Sequence, residues 1–450
     1  MAGSVVDCDT HSEVKTHMSS PSALHRDTAA SFISLGGWVV LVASTVVWGR
    51  HLVDDHVAIV LRAAPLAGRY EWRITQAALV PVVFAAFVVF AGPWIMARIA
   101  WWRAVVLGSV LSGLWAVALS RVDDPRGFTS RFRAQGYLQT AEAIHDPHAF
   151  LSQFVERIGS YNVHTRGHPP GMEIFLWASA RLGLSGIGWN AMLAVAGGAA
   201  AGAAALVALR ELTSEHQARA AASFVVLAPA AIWWSSGDAF FAGVSGWAVA
   251  LVVLATGRQG RSADVLAVFG GLLFGATAFL SYGLVLLVLI PLAVAVSRKQ
   301  LRPIVLAALG ALVVFVAFGA FGFSWFAGLA ATRHQYWAGV AHDRPFRSFV
   351  FADLAAFALA IGPAATVAIA RLRDRRVWLL VGAALVAIAV ADLSAMSKGE
   401  VERIWLPFVP WVLLATCVFA VGRSVRRLRF WLGLQAASAV VVELAVRSKW

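Results

Sequence analysis

The sequence has little cysteine, little acid and little charge of any kind. Only 2 of its 450 residues are cysteines. Cys8 stands in a polar tail and Cys417 inside an apolar run, so no disulfide framework holds the chain and neither thiol signals a compartment. Residues 1–30 lack the charged-then-apolar order of a cleaved signal peptide, so the first apolar run, Ser31 to Gly49, is expected to stay as a signal anchor. Acids are scarcer than bases, 24 against 37, for a formal net charge of +13. In a soluble protein that excess would point to nucleic acid; here membrane topology and anionic lipid headgroups account for it, and no nucleic-acid partner is expected.

What fills the chain is apolar. Hydrophobic residues make up 60% and charged ones 14%, with a mean hydropathy of +0.73. Apolar runs of about 15–22 residues recur along the whole length, as membrane-spanning helices require. The fold class is therefore all-α, a polytopic membrane protein with about thirteen crossings. They are expected near 31–49, 76–96, 104–120, 187–209, 221–234, 239–256, 265–281, 283–297, 304–322, 350–370, 377–393, 405–421 and 431–446.

Short basic loops punctuate these runs: Arg98/Arg103, Arg210/Arg219, Arg258/Arg261, Arg298/Lys299/Arg302, Arg371/Arg373/Arg375/Arg376 and Arg423/Arg426/Arg427/Arg429. Their cations far outnumber Glu211, Glu215, Asp264 and Asp374, so the positive-inside rule puts these loops and the N-terminus in the cytoplasm and the C-terminus outside. Midway between successive basic loops lie polar residues where the chain must turn over: Asp238 in Ser235-Ser236-Gly237-Asp238, Tyr282 in Ser281-Tyr282-Gly283, and Lys398-Gly399-Glu400-Val401-Glu402-Arg403. All are expected on the extracytoplasmic side. An enzyme there cannot draw on cytosolic nucleotide-activated donors, and a polyprenyl-phosphate sugar meets that constraint.

The longest polar stretch between crossings is Arg121 to Gly171. It opens with Asp123-Asp124, directly after a crossing, where a carboxylate could act as general base on an acceptor hydroxyl or a pair could hold a divalent metal; the alternative is a solvated acid balanced by Arg121 and Arg126. It closes with His164-Thr165-Arg166-Gly167-His168-Pro169-Pro170-Gly171. Gly167 and the prolines oppose a helix that would make His164 and His168 a metal pair. Phosphate or acceptor binding by Arg166 and His168 stands beside a plain rigid turn. Met172 to Gly183 is too short to cross and is expected to lie at the outer interface. Asp238 reads more readily as a helix N-cap than as a ligand. Lys398, Glu400, Glu402 and Arg403 read either as a solvated turn or as a grip on a lipid phosphate. Ala331 to Ser348 reads as an aromatic-rich interfacial loop, and Asp54-Asp55 form a rival acidic pair.

The acid after a crossing, the long loop with Tyr137 and a helical-looking Gln139 to Ile144, the His-Pro-Pro element and the short helix ending at Leu182-Gly183 resemble the first outer loop of GT-C glycosyltransferases. These include protein mannosyltransferases, lipid A aminoarabinose transferases and cell-wall arabinofuranosyl- and mannosyltransferases. Gly399 to Pro407 is similar to a late outer-loop element of the same enzymes. The resemblance covers about residues 104–421. It implies inverting transfer of a sugar from a polyprenyl phosphate to an envelope glycan or lipid. Asp123 or Asp124 would be the base and His168 would line the donor site, with Arg166, Lys398 and Arg403 as partners of the phosphate. It divides the chain into a cytoplasmic tail (1–30), two N-terminal helices (31–103), the transferase module (104–421, loop 121–186) and a basic loop with the last helix (422–450). Two features depart from the family. Two crossings precede the one leading into the acidic loop, and no outer soluble domain follows at the C-terminus. A transporter or lipid flippase, and a non-catalytic envelope assembly protein, are the competing classes.

Overall fold

The computed structural model describes residues 21–57, 59–122, 127–419 and 424–448. In chain order the first helices are α1 (Pro21–Asp54), α2 (Leu79–Arg98) and α3 (Trp101–Ser120). Five short helices follow: α4 (Gly127–Arg133), α5 (Tyr137–Glu142), α6 (Pro147–Gln153), α7 (Val163–Gly167) and α8 (Gly171–Arg181). Then come α9 (Ile187–Leu212), α10 (Glu215–Val226), α11 (Gly237–Thr256), α12 (Gly260–Leu280), α13 (Leu289–Arg298), α14 (Arg302–Ala320), α15 (Trp325–Ala338), α16 (Phe346–Arg371) and α17 (Arg375–Leu393). The last are α18 (Val401–Ile404), α19 (Val409–Leu413) and α20 (Val425–Ala445). The strand β1 (Gly68–Tyr70) pairs antiparallel with β2 (Val446–Ser448), Arg69 opposite Arg447, so the loop after α1 is tied to the chain after α20.

Among the described residues 10 helices are long and apolar enough to cross a membrane: α1, α2, α3, α9, α11, α12, α14, α16, α17 and α20. The chain is an all-helical, multi-pass membrane protein. The remaining expected crossings, 221–234, 283–297 and 405–421, are built differently. The first is α10 followed by a 3-10 turn at Pro229–Trp233, the second a 3-10 segment Tyr282–Val288 leading into α13, and the third a chain of 3-10 pieces around α19. Proline explains the first and third breaks: Pro229, Pro407 and Pro410 each remove an amide donor from the ladder. Such backbone is tolerated at membrane depth only inside protein, and residues 405–417 are buried throughout.

Packing between the long helices uses small residues. A Cβ on Gly197 of α9 would fall 2.5 Å from the Phe240 Cα of α11, and one on Gly243 of α11 would fall 2.7 Å from Gly197 Cα. Backbones that close gain dispersion contacts where lipid removes the hydrophobic drive between helices.

The two ends of the bundle differ in chemistry. At one, the basic loops meet: Arg298 bonds Glu211, Gln217 bonds Asp374, Arg302 bonds Asp264, and Arg210 and Arg219 lie over Trp101. At the other end sit the loop after α1, the segment between α3 and α9, and the starts of α11 and α16, joined by buried polar contacts. The hairpin apices expected from the spacing of the cations lie at this second end.

Candidate functional site

The centre of the second end is Arg403, on the one-turn helix α18. Its side chain is about 5% exposed, and Nη1 donates to Asp238 Oδ2 at 2.7 Å across 165 residues of chain. Nη2 donates to Glu400 Oε2 at 2.8 Å and to His164 Nδ1 at 3.4 Å. Because a guanidinium only donates, Nδ1 of His164 must be the acceptor and its Nε2 carries the proton. Burial works against the Arg403 charge, but the Asp238 and Glu400 carboxylates outweigh it and hold the guanidinium above its ordinary value. Burial, then Arg403, pulls the His164 imidazole down to about 2, so it is neutral.

Asp238 is not the N-cap the sequence suggested. Ser236 occupies that position and Asp238 lies inside the first turn of α11. There its charge still complements the helix dipole, while its oxygens serve Arg403. Glutamine replaces a helix cap: Gln135 Oε1 accepts from the Gly237 amide at 2.8 Å. One turn further along α11, Phe241 packs on His168 and Tyr137, ring centroids 5.6 and 6.4 Å apart, and Tyr137 lies 6.0 and 6.1 Å from the rings of His164 and His168. His168 is neutral too, drawn down to about 4, mainly by burial.

The residues between α3 and α9 are folded to deliver these groups. Asn162 caps α7, accepting from the His164 and Thr165 amides at 3.0 and 3.1 Å. The helix stops at Gly167, so His164 and His168 are not stacked on one face. Pro170 sits at the start of α8, which supports the plain reading of the Pro-Pro-Gly element as a helix start. Gly171 is required there: a Cβ would lie 2.2 Å from the Phe279 carbonyl oxygen, where α8 meets the end of α12. α8 in turn carries Glu173, fully buried beside this cluster and absent from the sequence-based candidates. Burial raises its carboxyl to about 7, the nearby Thr165 hydroxyl acting in the opposite sense. That hydroxyl is already engaged with Thr140 and Asn162, and neither Glu173 oxygen has a partner within hydrogen-bond geometry among the described residues.

Other orphaned atoms surround the pair. Tyr137 Oη, His168 Nδ1, Gln135 Nε2, Ser235 Oγ and Ser236 Oγ are all buried without hydrogen-bond partners among the described residues. Native interiors rarely leave polar atoms unpaired, and a group of them marks a place that water or a polar ligand fills.

The other candidates fall outside this cluster. Lys398 is buried but committed: Nζ donates to the Ala341 and Arg344 carbonyls, both at 2.9 Å, and lies 4.4 Å from the Trp337 ring centroid. The reading of Lys398 to Arg403 as a solvated turn is therefore wrong, since Lys398, Glu402 and Arg403 are all buried; the elements that cover them are far away in sequence. Tyr282 stacks edge-on to Trp325, centroids 5.2 Å apart. Arg166 offers its carbonyl to Thr332, while its half-buried side chain makes no ion pair or hydrogen bond among the described residues. Ala331 to Ser348 is helical in its first part, within α15, rather than a loop throughout. Asp54 and Asp55 stand exposed at the end of α1. Asp123 and Asp124 lie outside the described residues. Among the described residues no three His, Cys, Asp or Glu side chains converge as metal ligands.

No known protein-family model and no curated protein matches this chain. Solved structures of the Archaeoglobus fulgidus oligosaccharyltransferase are similar to it at low identity. The complex with Zn and sulfate shares 15% identity with a TM-score of 0.45, over 77% of this chain and 53% of that one. The form tethered to an acceptor peptide containing the NVT sequon shares 13%, with a TM-score of 0.39, over 77% and 55%. This chain thus spans about half the length of the structures it matches.

Proposed function

We propose that this protein is a membrane glycosyltransferase of the GT-C type, moving a sugar from a polyprenyl-phosphate donor to an extracytoplasmic envelope glycan or lipid. One observation supports it above the others. Asp238, Glu400, Arg403, His164 and His168, from three separate stretches of sequence, come together with Tyr137 and Glu173 in one buried cluster, lined with polar atoms that have no partner among the described residues. That is the environment in which positioned dipoles act most strongly on developing charge.

In the proposed reaction the acceptor oxygen attacks the anomeric carbon and the bond from that carbon to the phosphate oxygen breaks. Its electron pair leaves with the polyprenyl phosphate, and the hydroxyl proton passes to Asp123 or Asp124. Attack opposite the leaving group inverts the anomeric centre. Of the three cations implied as phosphate partners, Arg166 is the one whose side chain makes neither an ion pair nor a hydrogen bond among the described residues, whereas Arg403 is paired with Asp238 and Glu400 and Lys398 is held by the Ala341 and Arg344 carbonyls. Asp123 and Asp124 form the oxygen-donor pair that would hold a divalent cation, whose contribution would be to neutralise charge on the departing phosphate.

The transporter reading needs ionisable groups through the membrane thickness. The buried acids of the long helices, Asp238, Asp353, Asp392 and Glu443, instead lie near one end of α11, α16, α17 and α20. Contacts join three of them to one neighbourhood: Asp238 with Arg403, Asp353 with the Gly399 amide, and Glu443 with Arg131, which also bonds the Ile232 carbonyl.

Two experiments test the proposal. In membranes supplied with labelled lipid-linked sugars, transfer is expected to continue when nucleotide sugars are withheld; strict dependence on a nucleotide sugar with no lipid intermediate rejects it. Reporter fusions at Gly136 and at Arg375 are expected to report opposite sides of the membrane. Finding both on one side removes the reason for a lipid-linked donor.

A further inference from the structure

The loop between α1 and α2 does not behave as a surface connection. Loops ordinarily run over the outside because their backbone polar groups need water. In this one Ile59, Leu61, Ala63, Ala64, Leu66 and Ala67 are each 6% exposed or less. Its backbone is satisfied from afar. Glu402 Oε1 accepts from the Ala67 amide at 2.9 Å, across 335 residues, and Arg344 Nε donates to the Ile59 carbonyl at 3.0 Å. The Arg344 guanidinium also bonds the Lys398 carbonyl, so one side chain holds both the loop and the start of the turn that carries Arg403.

That turn needs holding. Gly399 and Glu400 both have positive φ, 83° and 64°, and a glutamate in the left-handed region is strained where glycine is not. A hydrogen bond keeps it in place, Asp353 Oδ1 accepting from the Gly399 amide at 2.8 Å, and the turn lies close against the loop: a Cβ on Gly399 would fall 3.3 Å from Leu61 Cδ1. The conformation aims the Glu400 carboxylate at Arg403, three residues on.

We propose that the loop 59–67 is a wall of the site, and that Glu402 is a positioning residue that fastens this wall to the Arg403 turn. The two N-terminal crossings, which set this chain apart from the family it resembles, then serve to present the loop. The role in turnover rests on the transferase reading; the mechanical coupling of loop and turn does not.

Hydrogen–deuterium exchange on the full-length protein in lipid nanodiscs tests the coupling. Glu402→Ala should accelerate exchange in residues 59–70 and in 398–405 together, by roughly tenfold for the loss of one buried hydrogen bond. Glu402→Gln, which keeps a side-chain oxygen for the Ala67 amide, should restore both. Leu61→Ala, which leaves Glu402 untouched, should also accelerate 398–405 and serves if Glu402→Ala fails to fold. Faster exchange confined to 59–70 in both variants overturns the proposal. In the transfer assay Glu402→Ala should lower kcat about tenfold with KM within twofold, and Glu402→Gln should recover it. Unchanged kcat with reduced thermal stability would make Glu402 merely structural. If the wild-type protein transfers no sugar, the transferase reading falls while the exchange experiment still decides whether loop and turn are coupled.

Discussion

One of the two substitutions Asp123→Asn and Asp124→Asn is expected to slow sugar transfer by roughly a hundredfold or more while leaving the protein folded. Asparagine nearly matches aspartate in shape but cannot take the acceptor proton, so the loss should fall on kcat. The described residues on either side of the pair give the expectation its footing. α3 ends at Ser120 and α4 begins at Gly127, where a Cβ would lie 2.3 Å from the Ser120 carbonyl oxygen, so the chain returns to the helix end it left. From there Arg131 reaches the Ile232 carbonyl at 3.0 Å and Gln135 reaches the Gly237 amide at 2.8 Å. The contacts fix the segment after the pair to the 3-10 turn Pro229–Trp233 and to the beginning of α11, where Asp238 meets Arg403. Asp54→Asn is the control, since Asp54 is exposed at the end of α1. Normal turnover in both Asp123→Asn and Asp124→Asn, with activity abolished by changing Asp54 or Asp55, would move the base to the first loop.

The features legible in the sequence were the local ones. Runs of apolar residues marked the 10 long helices because hydropathy is a property of the segment itself. The spacing of Arg and Lys located the apices at Asp238, Tyr282 and Lys398 to Arg403. The three other expected crossings are built of shorter pieces, and in two of them Pro229, Pro407 and Pro410 cause the break; hydropathy averages conceal a proline when its neighbours are apolar. Asp238 was misread for another reason. Its position beside Ser236 and Gly237 carries every mark of a cap, and nothing nearby announces a guanidinium 165 residues further on. Glu173 has no mark of a site residue in the sequence, and Glu402 reads only as part of the mixed-charge run Lys398 to Arg403, because an acid three residues past a proline, or inside such a run, looks solvated until the elements that bury it are placed. The loop 59–67 was invisible for the same reason, since its partners Arg344 and Glu402 lie in the last quarter of the chain.

The Asp238–Arg403 pair should show the largest effect on stability. Two charges taken out of water repay their desolvation only through close geometry and further hydrogen bonds. Both conditions are met: the contact is 2.7 Å, and Arg403 also reaches Glu400 and His164. Removing the carboxylate leaves a buried guanidinium short of charge compensation, with Glu400, itself about 28% exposed, screened by solvent. Asp238→Ala is therefore expected to cost about 3–5 kcal/mol. Asp238→Asn, which keeps an acceptor oxygen for Nη1, should cost clearly less. Thermal unfolding of the purified protein in detergent would order the variants as wild type, Asp238→Asn, Asp238→Ala. The double substitution Asp238→Leu/Arg403→Met separates the charge from the packing. If the cost comes from an uncompensated charge, removing both partners should recover much of the stability lost in Asp238→Ala, because a well-packed apolar pair avoids desolvation altogether. On the proposed function, transfer activity should not recover with it, since Glu400 and His164 would have lost the guanidinium that aligns them. Recovery of both stability and transfer in the double variant would mean that the pair holds the fold and has no part in the reaction.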